Sequence, residues 1–356
     1  MSGSFRRTAC FGLLGFALSA LVPICAAGQD ADTHSLMIAG RNLSAEAARE
    51  LELQLKSSPN DVDSRSKLLA HYFLLAHSSE EAKAARQQHI LWLIRNRPDA
   101  PILDTPYTSL DPIEDSSAYA EAREAWLAQV DREPKNPEIL GRAAGYMLLH
   151  DSASAESLYK RAEAAEPQNP EWSMSLGRLY SLGLSHKTGE ARQKAAKAAL
   201  EAYERSLARG SDDEARSSLL SELATVALEA GELAKARGYA EELLTAAGKS
   251  RQDHWNYGNM VHHGHLVLGR LALRAGDVSK AKEHLLAAGE TPGSPQLNSF
   301  GPNMTLAKEL LEKGERQAVL DYFKLCGGFW KKDKLEAWSR EVQAGKIPDF
   351  EANLEY

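Results

Sequence analysis

Glu133-Pro134-Lys135-Asn136-Pro137-Glu138 returns 33 residues later as Glu166-Pro167-Gln168-Asn169-Pro170-Glu171. Each hexapeptide reads as the joint between two helices. The first proline stops the preceding helix, the asparagine caps the next one, and the second proline occupies its first turn, where the missing N–H costs nothing. Near-identical joints at a fixed interval are the mark of a repeated supersecondary unit, and a period in this range points to stacked helical hairpins.

Working outward, the interval between the joints holds two amphipathic stretches, the second carrying Ala155, Tyr159 and Ala162. After the second joint come Leu176-Gly177 and Tyr180, then Ala199, Tyr203 and Ser206, with His186 to Gly189 as a bulge. Two later units run Leu220, Leu223, Ala224, Ala227, Gly231-Glu232, Ala236 and His265, Leu268, Gly269, Ala272, Gly276-Asp277, Ala281, Leu285, Ala288. These two are 45 residues apart, so an insert spanning Ser250 to Asn259 separates them. Residues 61–97 read as another hairpin, 98–115 as a Pro/Asp/Thr-rich connector, and 290–302 as a loop before an Asn303-capped helix. A final block is expected to be helical at 304–313, 315–326 and 332–344. The 3.6-residue period recurs throughout and the period of two is absent.

This pattern resembles the tetratricopeptide repeat (TPR) family. The likeness is good over 134–289, looser over 44–133 and loosest over 300–356, read as a C-terminal helical cap and tail. It implies an all-α fold, a right-handed superhelix of antiparallel helical hairpins, with the first helix of each repeat lining a concave surface. A single hairpin cannot bury its own apolar face, so stacking supplies the core.

The N-terminus reads separately. Arg6 and Arg7 precede an apolar run from Phe11 to Ile24, followed by Ala26, Ala27 and Gly28. That is the layout of a secretory signal peptide over residues 1–28, and it predicts an exported protein, periplasmic or secreted. Lipid attachment at Cys25 is disfavoured because bulky Ile24 stands before it. Cleavage would leave Cys326 as the one cysteine, so no internal disulfide is expected. The 42 Lys+Arg and 49 Asp+Glu give a net charge of −7. Loss of two arginines with the leader makes it more negative, and on that ground a nucleic-acid partner is not expected.

No catalytic signature emerges, so no enzyme and no cofactor are expected. Gly248-Lys249-Ser250 resembles the end of a phosphate loop, but Leu243 stands where its first glycine belongs. The resemblance instead implies a non-enzymatic protein- or peptide-binding scaffold in the cell envelope or outside the cell. Its groove positions include Met174, Arg178, Thr225, His263, Arg270 and Arg274, whose arginines suit an acidic segment or a carboxylate. The alternative is a metal-binding protein or metal-dependent enzyme centred on His254, His262, His263 and His265. His262 and His265, three apart on a helix, would share a face as ligands.

Overall fold

The computed structural model describes residues 30–210 and 213–354; the proposed leader lies outside them. The described residues form helices and no strand, and none of these helices is long and apolar enough to cross a membrane. The architecture is an all-α, TPR-like array of helical hairpins, in two compact units divided after Glu166.

The first unit holds α1 (Asp30–Arg41), α2 (Ala45–Ser57), α3 (Val62–Leu75), α4 (Glu80–Asn96), α5 (Ser116–Arg132), α6 (Pro137–Met147) and α7 (Ser152–Ala165). Helix α1 precedes the region in which the sequence suggested repeats, and it packs on α3. The expected joint forms at 133–138: Asn136 Oδ1 accepts from the N–H groups of Glu138 and Ile139, and Pro137 begins α6. Leu68, Ile90, Leu93, Trp126 and Leu140 fill the core.

The connector between α4 and α5 is built into this core. Its four prolines, Pro98, Pro101, Pro106 and Pro112, deny it a continuous helix. It instead makes 3₁₀ turns at Pro101–Asp104 and Pro106–Thr108. These turns pack against α3, α4 and α6, burying Ile102 and Thr108, so the segment fills the place of a first helix. Arg86 secures it: Nε donates to the Tyr107 carbonyl at 3.0 Å and Nη2 to that of Ser109.

The second unit continues with α8 (Pro170–Leu182), α9 (Gly189–Ala208), α10 (Asp213–Ala230), α11 (Leu233–Lys249), α12 (Tyr257–Arg274) and α13 (Val278–Gly289). Each packs on its neighbour in sequence, and α10 also packs on α12. Alanines at the expected contact positions, Ala199, Ala236, Ala281 and Ala288, have no exposed surface, which is what close helix approach requires. Gly276 turns the chain between α12 and α13 at φ 83°, a conformation that a β-carbon would strain.

The stretch 290–302 is not wholly a loop, as the sequence suggested. Ser294 caps a short helix, α14 (Pro295–Phe300), by accepting from the Leu297 N–H. The local sequence Ser-Pro is a strong helix start that the surrounding glycines and prolines obscured. The final helices are α15 (Thr305–Glu312), α16 (Arg316–Cys326) and α17 (Lys332–Gln343). Asn303 accepts from the Thr305 N–H at 2.8 Å one residue before the helix, but Met304 and not Asn303 occupies the cap position, without a side-chain cap. Phe323, Trp330, Trp338 and Phe350 close this end as one buried aromatic cluster. Cys326 lies inside it, and burial pushes its thiol up to about 12.

Candidate binding face of the second unit

A helix places residues three, four and seven apart on one stripe. On α10 that stripe is Glu222, Thr225 and Glu229; on α12 it is His263, Arg270 and Arg274. The two helices are bridged where the stripes meet. Arg270 pairs with Glu229 at 2.9 Å and with Glu309 of α15 at 2.9 Å. Arg192 of α9 approaches Glu229 from its other side at 2.7 Å. Burial opposes charge on both Glu229 and Arg270, but the opposite charges win. Glu229 is held below the ordinary carboxylate range, and Arg270 is held more firmly cationic.

Arg274 donates from Nη1 to the Leu228 carbonyl at 2.8 Å. Burial and the neighbouring Arg270 charge lower its basicity. The Arg270 charge is therefore taken up within the fold, whereas Arg274 is exposed and spends one N–H on a carbonyl. Arg178 differs. Half-buried on α8, it contacts the Met174 sulfur at 3.6 Å, and Met174 itself packs into the core of α9 to α12. The Thr225 hydroxyl turns back to the Ser221 carbonyl of its own helix at 3.0 Å.

Glu222 was not among the expected groove residues. It is exposed, and it makes no hydrogen bond or ion pair among the described residues. Its carboxyl is nevertheless crowded by protein mass: desolvation raises it above the ordinary range, and the Arg178 charge only partly offsets this. An exposed side chain that still loses hydration is what a concave surface produces. The signal that could have found it is the spacing itself, since position 222 lies four after Ser218 and three before Thr225.

His263 shares this surface. It is half-buried, its ring meets the edge of His262, and desolvation lowers it to about 4, so it is neutral at pH 7. His262 is wholly buried. Its Nε2 accepts from the Asn303 N–H at 3.0 Å, which fixes Nδ1 as the donor to the Ala288 carbonyl at 2.9 Å. Both ring nitrogens are engaged, so His262 has none to offer a metal, and the pairing of His262 with His265 is not formed. His265 instead meets His284 of α13. The Nδ1 of His254 accepts from the Asn256 N–H. Among the described residues there is no group of three or more His, Cys, Asp or Glu side chains able to hold a metal ion.

The first unit contains a polar cluster that sequence reasoning missed. Arg65 donates to His89 Nδ1 at 3.0 Å, leaving His89 Nε2–H for Glu52 at 2.9 Å, and Tyr72 also donates to Glu52. Arg65 lies 3.6 Å over the Trp92 ring. Both nitrogens of His89 are occupied, so it is placed as a structural bridge and not as a general base.

No family model matches this chain, and no curated protein matches it. Two similar solved structures are a human IFIT1 dimer with PPP-AAAA and a human IFIT1 dimer with m7Gppp-AAAA. Both are 17% identical to this chain, with TM-scores of 0.47 and 0.48. The matches cover 84% and 89% of this chain, and 66% and 70% of the neighbour. Against the first, this chain spans just under two thirds of the neighbour's length. These structures correct the expectation of no nucleic-acid partner: net negative charge is no ground for excluding one. A ligand responds to the local field of the surface it enters, and total charge does not report that field.

Proposed function

We propose that this chain is an exported, non-enzymatic scaffold that binds a protein or peptide segment along the face formed by α8, α10 and α12. The observation that carries this reading is Glu222, an exposed carboxyl without a partner among the described residues, set on the first-helix stripe beside Arg178 and the neutral His263. A segment bringing a lysine or arginine would find Glu222 open, and a charge-assisted hydrogen bond there would be strong in a partly dehydrated setting.

Selection of displayed short peptides on the full chain tests this. Enrichment of Lys or Arg is expected, with selected peptides weakened roughly tenfold or more by Glu222→Gln. Peptides whose affinity ignores that substitution would remove the assignment. Oligonucleotides run in parallel supply the opposing outcome. Tight, steeply salt-dependent binding of an oligonucleotide, with no peptide selected, would replace the protein partner by a nucleic acid. The N-terminal reading is tested by fractionating cells that express the full sequence, where a processed, exported form is expected.

A further inference from the structure

His265 on α12 and His284 on α13 point their Nδ1 atoms at each other across 3.0 Å, with ring centroids 5.3 Å apart. Both rings are half-buried. The approach depends on Gly269, one turn after His265. A β-carbon at that position would lie 3.1 Å from the β-carbon of His284 and 2.4 Å from Leu306. The glycine therefore lets α13 come close enough for the rings to meet. One proton can occupy the space between two Nδ1 atoms, so one ring is the donor and the other the acceptor. The charged groups acting on the pair are Lys280 and Glu283 of α13 and Arg237 of α11, all of which bear on His284.

We propose that His265 and His284 form a two-imidazole site for a divalent transition ion with tetragonal preference, Cu²⁺ or Ni²⁺. The ion would take the place of the shared proton. That proton passes through solvent to Nε2 of the same ring, so both imidazoles remain neutral and both Nδ1 lone pairs turn to the metal. Water completes the coordination. The spacing is compatible with that ion class. With metal–nitrogen bonds of about 2.0–2.1 Å, cis ligands at a right angle lie about 2.9 Å apart, whereas tetrahedral ligands lie about 3.3–3.4 Å apart. The observed 3.0 Å fits the right-angled arrangement. The site differs from the one expected from sequence because His262 is closed on both nitrogens and the second ligand comes from the next helix.

Titration of the full-length mature protein, purified without an affinity tag, with Cu²⁺ alone tests this. One tight equivalent is expected, weakened tenfold or more in both His265→Gln and His284→Gln and unchanged in His186→Gln on an exposed loop. Equal binding by all four proteins would overturn the site. Should a glutamine variant fail to fold, electron paramagnetic resonance of the wild type labelled with ¹⁵N-histidine decides the matter. Coupling to two imidazole nitrogens supports the site, and coupling to one or none rejects it.

Discussion

Two buried guanidinium groups, one in each unit, are satisfied in opposite ways. In the first, Arg86 is 5% exposed and makes no ion pair among the described residues, with Asp115 acting on it only from a distance: it donates to the carbonyls of Tyr107 and Ser109 and lies over Phe73. In the second, Arg270 sits between the carboxylates of Glu229 and Glu309. The difference follows from what each arginine holds. Arg86 anchors an irregular proline-rich segment whose carbonyls have no helical partner, so a fork of N–H donors satisfies main chain. Arg270 joins regular helices whose carbonyls are already bonded, so only side chains on α10 and α15 can receive it.

The largest expected effect comes from Arg86→Leu, which keeps bulk but leaves two inward carbonyls without donors. A loss of about 3–5 kcal/mol is expected, read by urea unfolding. Arg270→Met should cost less, about 2–3 kcal/mol, because Glu229 retains Arg192 and Glu309 is partly hydrated. The comparison would break if Arg270→Met cost more than Arg86→Leu. It sharpens if Arg270→Met and Glu309→Gln prove non-additive in a double-mutant cycle.

Acid separates the units further. His262 is neutral in the fold, lowered by burial to about 3 from an ordinary 6.5. As pH falls below 6.5 the unfolded chain takes up a proton that the folded chain refuses. Stability near α12 to α15 therefore declines from pH 6.5 downward, by up to about 1.4 kcal/mol per pH unit. Glu52 is shifted down as well, from a lower starting value. Its hydrogen bond from His89 holds it below the ordinary 4.5, so its contribution persists above that pH and is lost as pH falls through the lowered value. His71, whose basicity burial also lowers, adds a loss in the first unit of the same sign as that of His262. Hydrogen exchange at pH 7 and pH 5 should show the greater loosening at residues 257–312, and His262→Gln should remove only its share, because burial also lowers His263 and His265 in the same helix.

The smallest effects belong to the two joints. Asn136→Ala removes a cap that satisfies two N–H groups and should cost about 1 kcal/mol. Asn169→Ala removes the cap contact to the Glu171 N–H and should cost about 0.5–1 kcal/mol. Thermal unfolding of the paired variants ranks them.

Much of the helical frame was legible because its causes are local. The Pro–Asn–Pro joints, the alanines and the turn glycine act within a few residues of themselves, and the final helices fell within a residue or two of their expected ends. The binding face was legible only in part. Helical spacing placed Arg178, His263 and Arg270 on first helices, yet it carries no information about what stands across the groove. Glu222 escaped notice because its meaning lies in desolvation by other helices and not in its own neighbours along the chain. The connector escaped because composition marks where a helix cannot form, without saying that the segment will be buried in a helix's place.

Sequence alone determined that this chain is a run of helical hairpins, since capping, proline placement and the 3.6-residue period are short-range physics. Tertiary structure decided the chemistry of its side chains. It gave His262 two backbone partners, turned His265 toward His284, enclosed Arg270 between carboxylates and left Glu222 open. Burial and pairing are properties of surfaces brought together from distant parts of the chain, and they set the charge state and availability of a group more strongly than its identity does.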